Sequence, residues 1–137
     1  MTLAAETVAE AVRARIGASA HTDHPQPFDE SELPAWRVTY DMEQHEAATL
    51  AGTTVQHRLP IKLQGIARDT GDALGALNAM AATALPLVFA PPIPYGLEPA
   101  GEIVRELQGD GQAAVGVIEI PLLAHFFTAI TAPETIL

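Results

Sequence analysis

The chain has 137 residues, enough for one domain with its own core. It has no cysteine, which excludes a disulfide framework, a thiolate nucleophile and a cysteine-held zinc site. Its 7 basic and 17 acidic residues give a formal net charge of −10, the wrong sign for holding nucleic acid by its phosphates. Glu6, Glu10, Arg13 and Arg15 interrupt the start of the chain, so no secretory signal is expected there, and no apolar run is long enough to read as a membrane-crossing helix.

Residues 2–16 carry Leu3, Val8, Val12 and Ile16 at helical spacing, and Gly17 is a natural stop, which predicts an amphipathic helix. Residues 17–34 mix prolines, two histidines and acidic or hydroxyl groups, the composition of a connecting loop. After Pro34 the period changes to two. Trp36, Val38, Tyr40 and Met42 alternate with Arg37, Thr39 and Asp41, which predicts a half-buried strand. The alternation lapses over residues 41–52, "DMEQHEAATLAG", and resumes with Val55, His57, Leu59, Ile61, Leu63, Gly65 and Ala67. This second strand spans about 14 residues, or roughly 45 Å. Asp69 or Thr70 can cap the next helix, in which Leu74, Leu77, Ala81, Ala84 and Leu85 share a face and Pro86 is expected to be the stop. Residues 86–101 hold 5 prolines and 2 glycines and read as an extended surface excursion. Residues 102–108 read as a strand, "GDG" as a tight turn, and 113–127 as a long last strand whose Pro121 points to an edge position or a bulge. The order is helix, two strands, helix, two strands. It predicts a single α+β domain over 1–137, a largely antiparallel or mixed sheet of about four strands with two helices packed on one face.

The sequence shows no phosphate-cradling glycine loop, nucleophile elbow or helical metal pair. In "HTDH", His21, Asp23 and His24 are three possible ligands for a divalent ion, but polar residues gather in solvated loops and no distant fourth ligand is marked. His57 and His125 fall in strands, where a lone histidine is more often a cross-strand partner or a hydrogen-bonded core residue than a catalyst. Asp29, Glu30 and Glu32 are adjacent in a loop and lack the fixed separation that paired catalytic carboxylates need. Trp36 could stack on a ligand, yet it opens the apolar face of a strand and reads as core. What the sequence offers is interaction surface, on strands longer than a small core needs and on projecting segments at 43–52 and 86–100. The candidate interface residues are Asp29, Glu30, Glu32, Glu43, Gln44, His45, Glu46, Pro92 and Tyr95. No catalytic residue, metal or cofactor is expected.

The run "FDESELPAWRVTY" resembles the Phe-Asp-Glu, acidic-spacer, hydrophobic-Pro-Ala and strand sequence of the tail terminator family of long-tailed phages, the minor tail protein U family of lambda-like phages. The likeness continues through the alternating "TTVQHRLPIKLQGIA", the helical "DALGALNAMAATALP" and the strand "AAVGVIEIPLL" after a small glycine turn. It is continuous over 28–86 and extends by element order over nearly the whole chain. "PLVFAPPIPYGLEPAG" and "TAPETIL" have no counterpart in the family pattern. The resemblance implies a structural virion protein without catalysis: a hexameric ring that caps the finished tail tube at its head-proximal end, stops polymerisation and supplies the head-joining surface. Implied partners are other copies of the chain, the major tail tube protein and a head-to-tail connector or neck protein, with no membrane. In that picture Pro34 biases Leu33 toward an extended backbone, Phe28 and Leu33 pin the loop, and the acidic residues stay solvated or meet a neighbour. Six copies would carry about −60, which suits a channel through which DNA slides without adhering. A related gene transfer agent is equally compatible. A different neck protein, or a small metal-dependent hydrolase built on His21, Asp23 and His24, are the competing readings.

Overall fold

Two runs of alternating apolar and polar residues set the architecture, because each must bury one face along its whole length. The computed structural model describes residues 3–22, 28, 30–48, 52–68, 71–90, 95–108 and 115–137. In chain order the elements are α1 (Ala4–Ile16), β1 (Ala20–His21), a 3₁₀ turn (Glu30–Glu32), β2 (Ala35–Tyr40), β3 (Gln44–Ala47) and β4 (Thr54–Arg68). There follow α2 (Ala73–Phe89), β5 (Gly96–Pro99), β6 (Val104–Gln108), β7 (Val115–Ala129) and β8 (Ala132–Ile136).

The long strands β4 and β7, 15 residues each, pair antiparallel from Thr54↔Ala129 to Arg68↔Val115. Shorter strands line this ribbon on both sides. β2 and β3 follow one another along β4, and β6, β5 and β8 along β7, while β1 adds to β2 in parallel. The result is a mixed sheet of 8 strands curled into a half-barrel with 2 helices, which corrects the expectation of a sheet of about four strands. The reason is physical. β1, β3, β5 and β8 are only 2, 4, 4 and 5 residues long, and each exists because a 15-residue neighbour offers it a ladder, not because its own sequence alternates.

One face of the ribbon is the core. Leu59, Ile61 and Leu63 of β4 and Ile118, Ile120, Leu122 and Phe126 of β7 are buried together with Val8 and Val12 of α1 and Leu77, Ala84 and Val88 of α2. Close approach is made possible by two glycines. A Cβ at Gly65 would lie 2.9 Å from both the Trp36 ring and Ile118, and one at Gly116 would lie 3.0 Å from the Cβ of Ala73 at the start of α2.

Asp72 caps α2, its carboxylate accepting from the Gly75 amide at 3.2 Å; the expected caps Asp69 and Thr70 lie outside the described residues. Pro86 does not stop this helix, which runs on to Phe89. Proline there removes the donor to the Ala82 carbonyl, and Ala82 is exposed so that water can replace it. The helix end is held from outside: the Arg15 guanidinium donates to the carbonyls of Leu87, at 3.3 Å, and of Ala90. The expected excursion over 86–101 is therefore divided among the last turn of α2, residues 91–94 outside the description, and strand β5.

Pro121 stands in the middle of a central strand, not at an edge. Its carbonyl accepts from the Ala100 amide at 3.1 Å, so its backbone polar positions face away from β4, into the break between β6 and β5. Pro60 belongs to the same class of cross-strand pair, two residues along the ladder, and faces the break between β2 and β3. Neither proline removes a hydrogen bond from the β4–β7 ladder.

Candidate functional site

The acidic segment 43–46 reads in sequence as part of a projecting loop, and the fold makes it an edge strand. Gln44, His45 and Glu46 are exposed on β3, opposite Arg58, His57 and Gln56 of β4. Glu43 turns inward to a polar network. Its Oε1 lies 2.6 Å from Nδ1 of His57, whose Nε2 lies 2.8 Å from Oγ1 of Thr128, and the imidazole stacks on Phe126 with centroids 4.8 Å apart. Carboxylate, imidazole and hydroxyl in series are the components of an activated nucleophile. Here Thr128 is only 1% exposed and His57 9%, so the hydroxyl is sealed in packing and offers no surface to a substrate. What the network does is pin the start of β3 to β4 and β7. His57 thus takes the hydrogen-bonded core role its strand position suggests.

His125 sits on the helix-free face of the sheet, with Nε2 2.9 Å from Oε1 of Glu98 on the neighbouring β5. On the same face Arg37 donates to Gln64 at 2.7 Å and Gln64 to Glu119 at 3.3 Å, a polar ladder across β2, β4 and β7. His21 is half-buried on β1 with its ring 5.3 Å from Phe28; Asp23 and His24 lie outside the described residues. Among the described residues no group of three or more His, Asp or Glu side chains is placed to hold a metal. Asp29 and Pro92 also lie outside the description, Glu30 and Glu32 form the 3₁₀ turn, and Glu32 is exposed.

Tyr95 is a different matter. It is 5% exposed, within the core cluster, so it anchors the chain just ahead of β5 and presents no open surface. Burial raises its pKa above the ordinary 10.0, and the neighbouring Arg15 charge offsets part of that rise. Arg15 is aimed at the carbonyls that end α2, and the Tyr95 hydroxyl is left without a hydrogen bond of good geometry.

Two surface features are absent from the sequence reading. The first is an apolar groove of about 580 Å³ between the end of α1, the Leu33–Pro34 segment, the end of β4 and one side of α2. Trp36, Met80, Ala84 and Leu87 form its walls, and Trp36, 3% exposed, is both core residue and groove lining. Its signal in the sequence is a second stripe on α2, Ala76, Ala79, Thr83 and Leu87, beside the buried stripe of Leu77, Ala81, Ala84 and Val88. The second is the corner at the end of β2, where Met42 is 76% and Tyr40 36% exposed, which corrects the expectation that both continue the apolar side of that strand with Trp36 and Val38: β2 ends at Tyr40. Tyr40 has a raised pKa, first from partial burial and then from the charges of Glu6 and Glu43.

No protein-family model matches the chain, and no curated protein matches it. The geometry therefore carries the functional reading.

Proposed function

We propose that this chain is a structural virion protein, a tail terminator of a long-tailed phage or of a related gene transfer agent. Copies close into a hexameric ring on the head-proximal end of the finished tail tube, stop its polymerisation, and present the surface that the neck of the particle joins. Its partners are further copies of itself, the major tube protein and a neck protein, and DNA passes through the acidic lumen without adhering.

The observation that carries the reading is surface left uncovered by the chain itself. It includes the apolar groove and the exposed Met42 corner, the kind of surface that marks a site of interaction. The stretch that resembles the terminator family, residues 28–86, supplies the 3₁₀ turn, β2, β3, β4 and most of α2, which give most of the groove lining and the corner, while the end of α1 completes the groove. A ring needs one surface on each side of the subunit that differ from each other, and the groove and the corner differ in this way.

The test is the distribution of tail lengths, by negative-stain microscopy, in particles made with this gene deleted. Overlong tubes without heads are expected. Tails of normal length attached to heads would overturn the reading, and tails of normal length without heads would assign the chain to the neck instead.

A further inference from the structure

We infer that the open edge of β6 is a strand-addition site, which takes an extended apolar segment of a different protein as a further strand of the sheet. The phase of the β7 ladder decides which main-chain groups are open. The carbonyl of Pro121 accepts from the Ala100 amide and that of Phe127 from the Leu137 amide, at 2.9 Å, so the odd-numbered residues of β7 turn their main-chain groups away from β4. Val117 and Glu119 share that phase, which makes their pairs with Glu106 and Val104 of β6 the hydrogen-bonded ones. Arg105 and Leu107, which alternate with these, therefore point N–H and C=O outward, off the sheet. Among the described residues no hydrogen bond engages those outward groups.

Side chains mark the same edge on both faces. Val104 is 49% exposed on the helix-free face, and Leu107 is 55% exposed on the helix side, where it and Ala73 at the start of α2 meet over Gly116. Ile103, just before the strand, and Leu74, the next residue of α2, are exposed as well. Arg105, the one cation of β6, is turned onto α2, its Nε donating to Oδ1 of Asn78 at 2.8 Å, so its charge does not guard the edge. A strand laid here would close the ladder through Arg105 and Leu107 and cover Val104 on one face and Leu107 on the other. With 5 residues, β6 has room for one short strand.

The other margins of the sheet are blunted in the ways that keep edges from pairing. Pro99 of β5 stands opposite Leu122, whose main-chain groups face β4, so the proline removes an outward donor. Pro133 interrupts β8, β3 exposes the polar Gln44, His45 and Glu46, and β1 holds the margin of β2 at Trp36 and Arg37, leaving only 38–40. The same comparison sets aside a second copy as the occupant, because none of these margins offers an unbroken strand with apolar side chains on both faces. In sequence, no segment outside the described residues holds more than one large aliphatic or aromatic residue. Two β6 strands do not suit each other either: about a two-fold axis, the register that pairs all 5 residues sets Glu106 opposite Glu106. The occupant is thus a strand from another protein, with apolar side chains at alternate positions.

The probe is a short capped peptide of alternating valine and lysine, added to the full chain while amide exchange is followed by NMR. In the protein alone the Arg105 and Leu107 amides should exchange quickly and those of Val104 and Glu106 slowly. The peptide should slow Arg105 and Leu107 by about ten-fold or more. Two further forms of the peptide carry N-methyl groups, one on every valine and the other on every lysine, so that each keeps the side chains and loses half of the donors. Strand addition retains one form and loses the other. No slowing at millimolar peptide, or equal slowing by both methylated forms, would overturn the inference. Slow exchange of Arg105 and Leu107 in the protein alone, deepening with its concentration, would give the edge to a second copy and overturn it too. Leu107→Pro deletes an outward donor without touching the β6–β7 ladder; it should keep the far-UV circular dichroism of the parent and lose the peptide response, and a response that persists would refute strand addition. Strand addition and tail termination fail separately, the first being read from amide exchange in the isolated chain and the second from tail length in particles.

Discussion

Gly65→Ala sets two effects of opposite sign against each other. Glycine to alanine at a strand position that alanine can adopt removes freedom from the unfolded chain and stabilises by about 0.4–1 kcal/mol. At Gly65 the new methyl would lie 2.9 Å from Ile118 Cγ2 and 2.9 Å from the Trp36 ring, where ordinary contacts begin about half an ångström further out. Overpacking of this kind costs about 1–3 kcal/mol. The two neighbours do not yield equally: Ile118 is 0% exposed in the middle of the core, whereas Trp36 borders the groove and has space on one side. A net loss of about 1–2 kcal/mol follows. With an unfolding entropy of about 2.1 cal/mol/K per residue, this lowers the melting temperature by about 3–7 °C. Thermal unfolding followed by far-UV circular dichroism reads the stability, and the single tryptophan reports the displacement through its own emission. An unchanged or raised melting temperature would refute the claim that Gly65 is required by close packing of β2 and β7 residues over β4.

Glu43→Ala should release β3, with Gln44–Ala47 amides exchanging faster while the β4–β7 ladder keeps its protection, at a cost of about 1.5–3 kcal/mol for a charged hydrogen bond; uniform exchange across the sheet would contradict the pinning role. Asp72→Ala removes the α2 cap and should cost about 1 kcal/mol in chemical denaturation, and no change in midpoint would move the cap elsewhere. Tyr95→Phe removes a buried hydroxyl that lacks a good partner and should be neutral or slightly stabilising at neutral pH. The same variant tests linkage. Because burial holds the folded Tyr95 above the unfolded value of 10.0, its contribution is intact below pH 10 and is lost as pH rises through the folded value. Denaturation midpoints measured from pH 9 to 11 should therefore fall less steeply in Tyr95→Phe, with Tyr40 supplying the remaining slope; identical slopes would refute the burial.

The long elements were legible because their periodicity exceeds anything local composition can imitate. α1, β2, β4, α2 and β7 all lie where Val8 and Val12, the Trp36 alternation, the run from Val55 to Ala67, Leu77 and Ala84, and the final apolar strand put them. The short strands were not legible. "QHEA" is exposed at every position and "GLEP" contains glycine and proline, so only the hydrogen-bonding groups of β4 and β7 make strands of them. Pro86 misled for a similar reason: the local rule for proline is overridden by Arg15, a residue 71 positions earlier, which holds the helix end. Of the candidate site, the acidic exposure of Glu43, Gln44, His45 and Glu46 was readable as an open surface, but the inward turn of Glu43 to His57 was not, since His57 and Thr128 meet only through pairing across β4 and β7. The groove was hidden because its walls come from four distant segments, and only the small-residue stripe on α2 marked it.

Pro60 and Pro121 have a further consequence for the margins of the sheet. A curved ribbon of this length with unbroken margins would be a template on which other chains could add, strand upon strand, into fibrils. The two imino acids cut each margin into pieces, of which β2 at 6 residues is the longest, and part of that piece is already occupied by β1. Backbone extension is thus denied a long uninterrupted edge, while side-chain recognition between folded surfaces remains available.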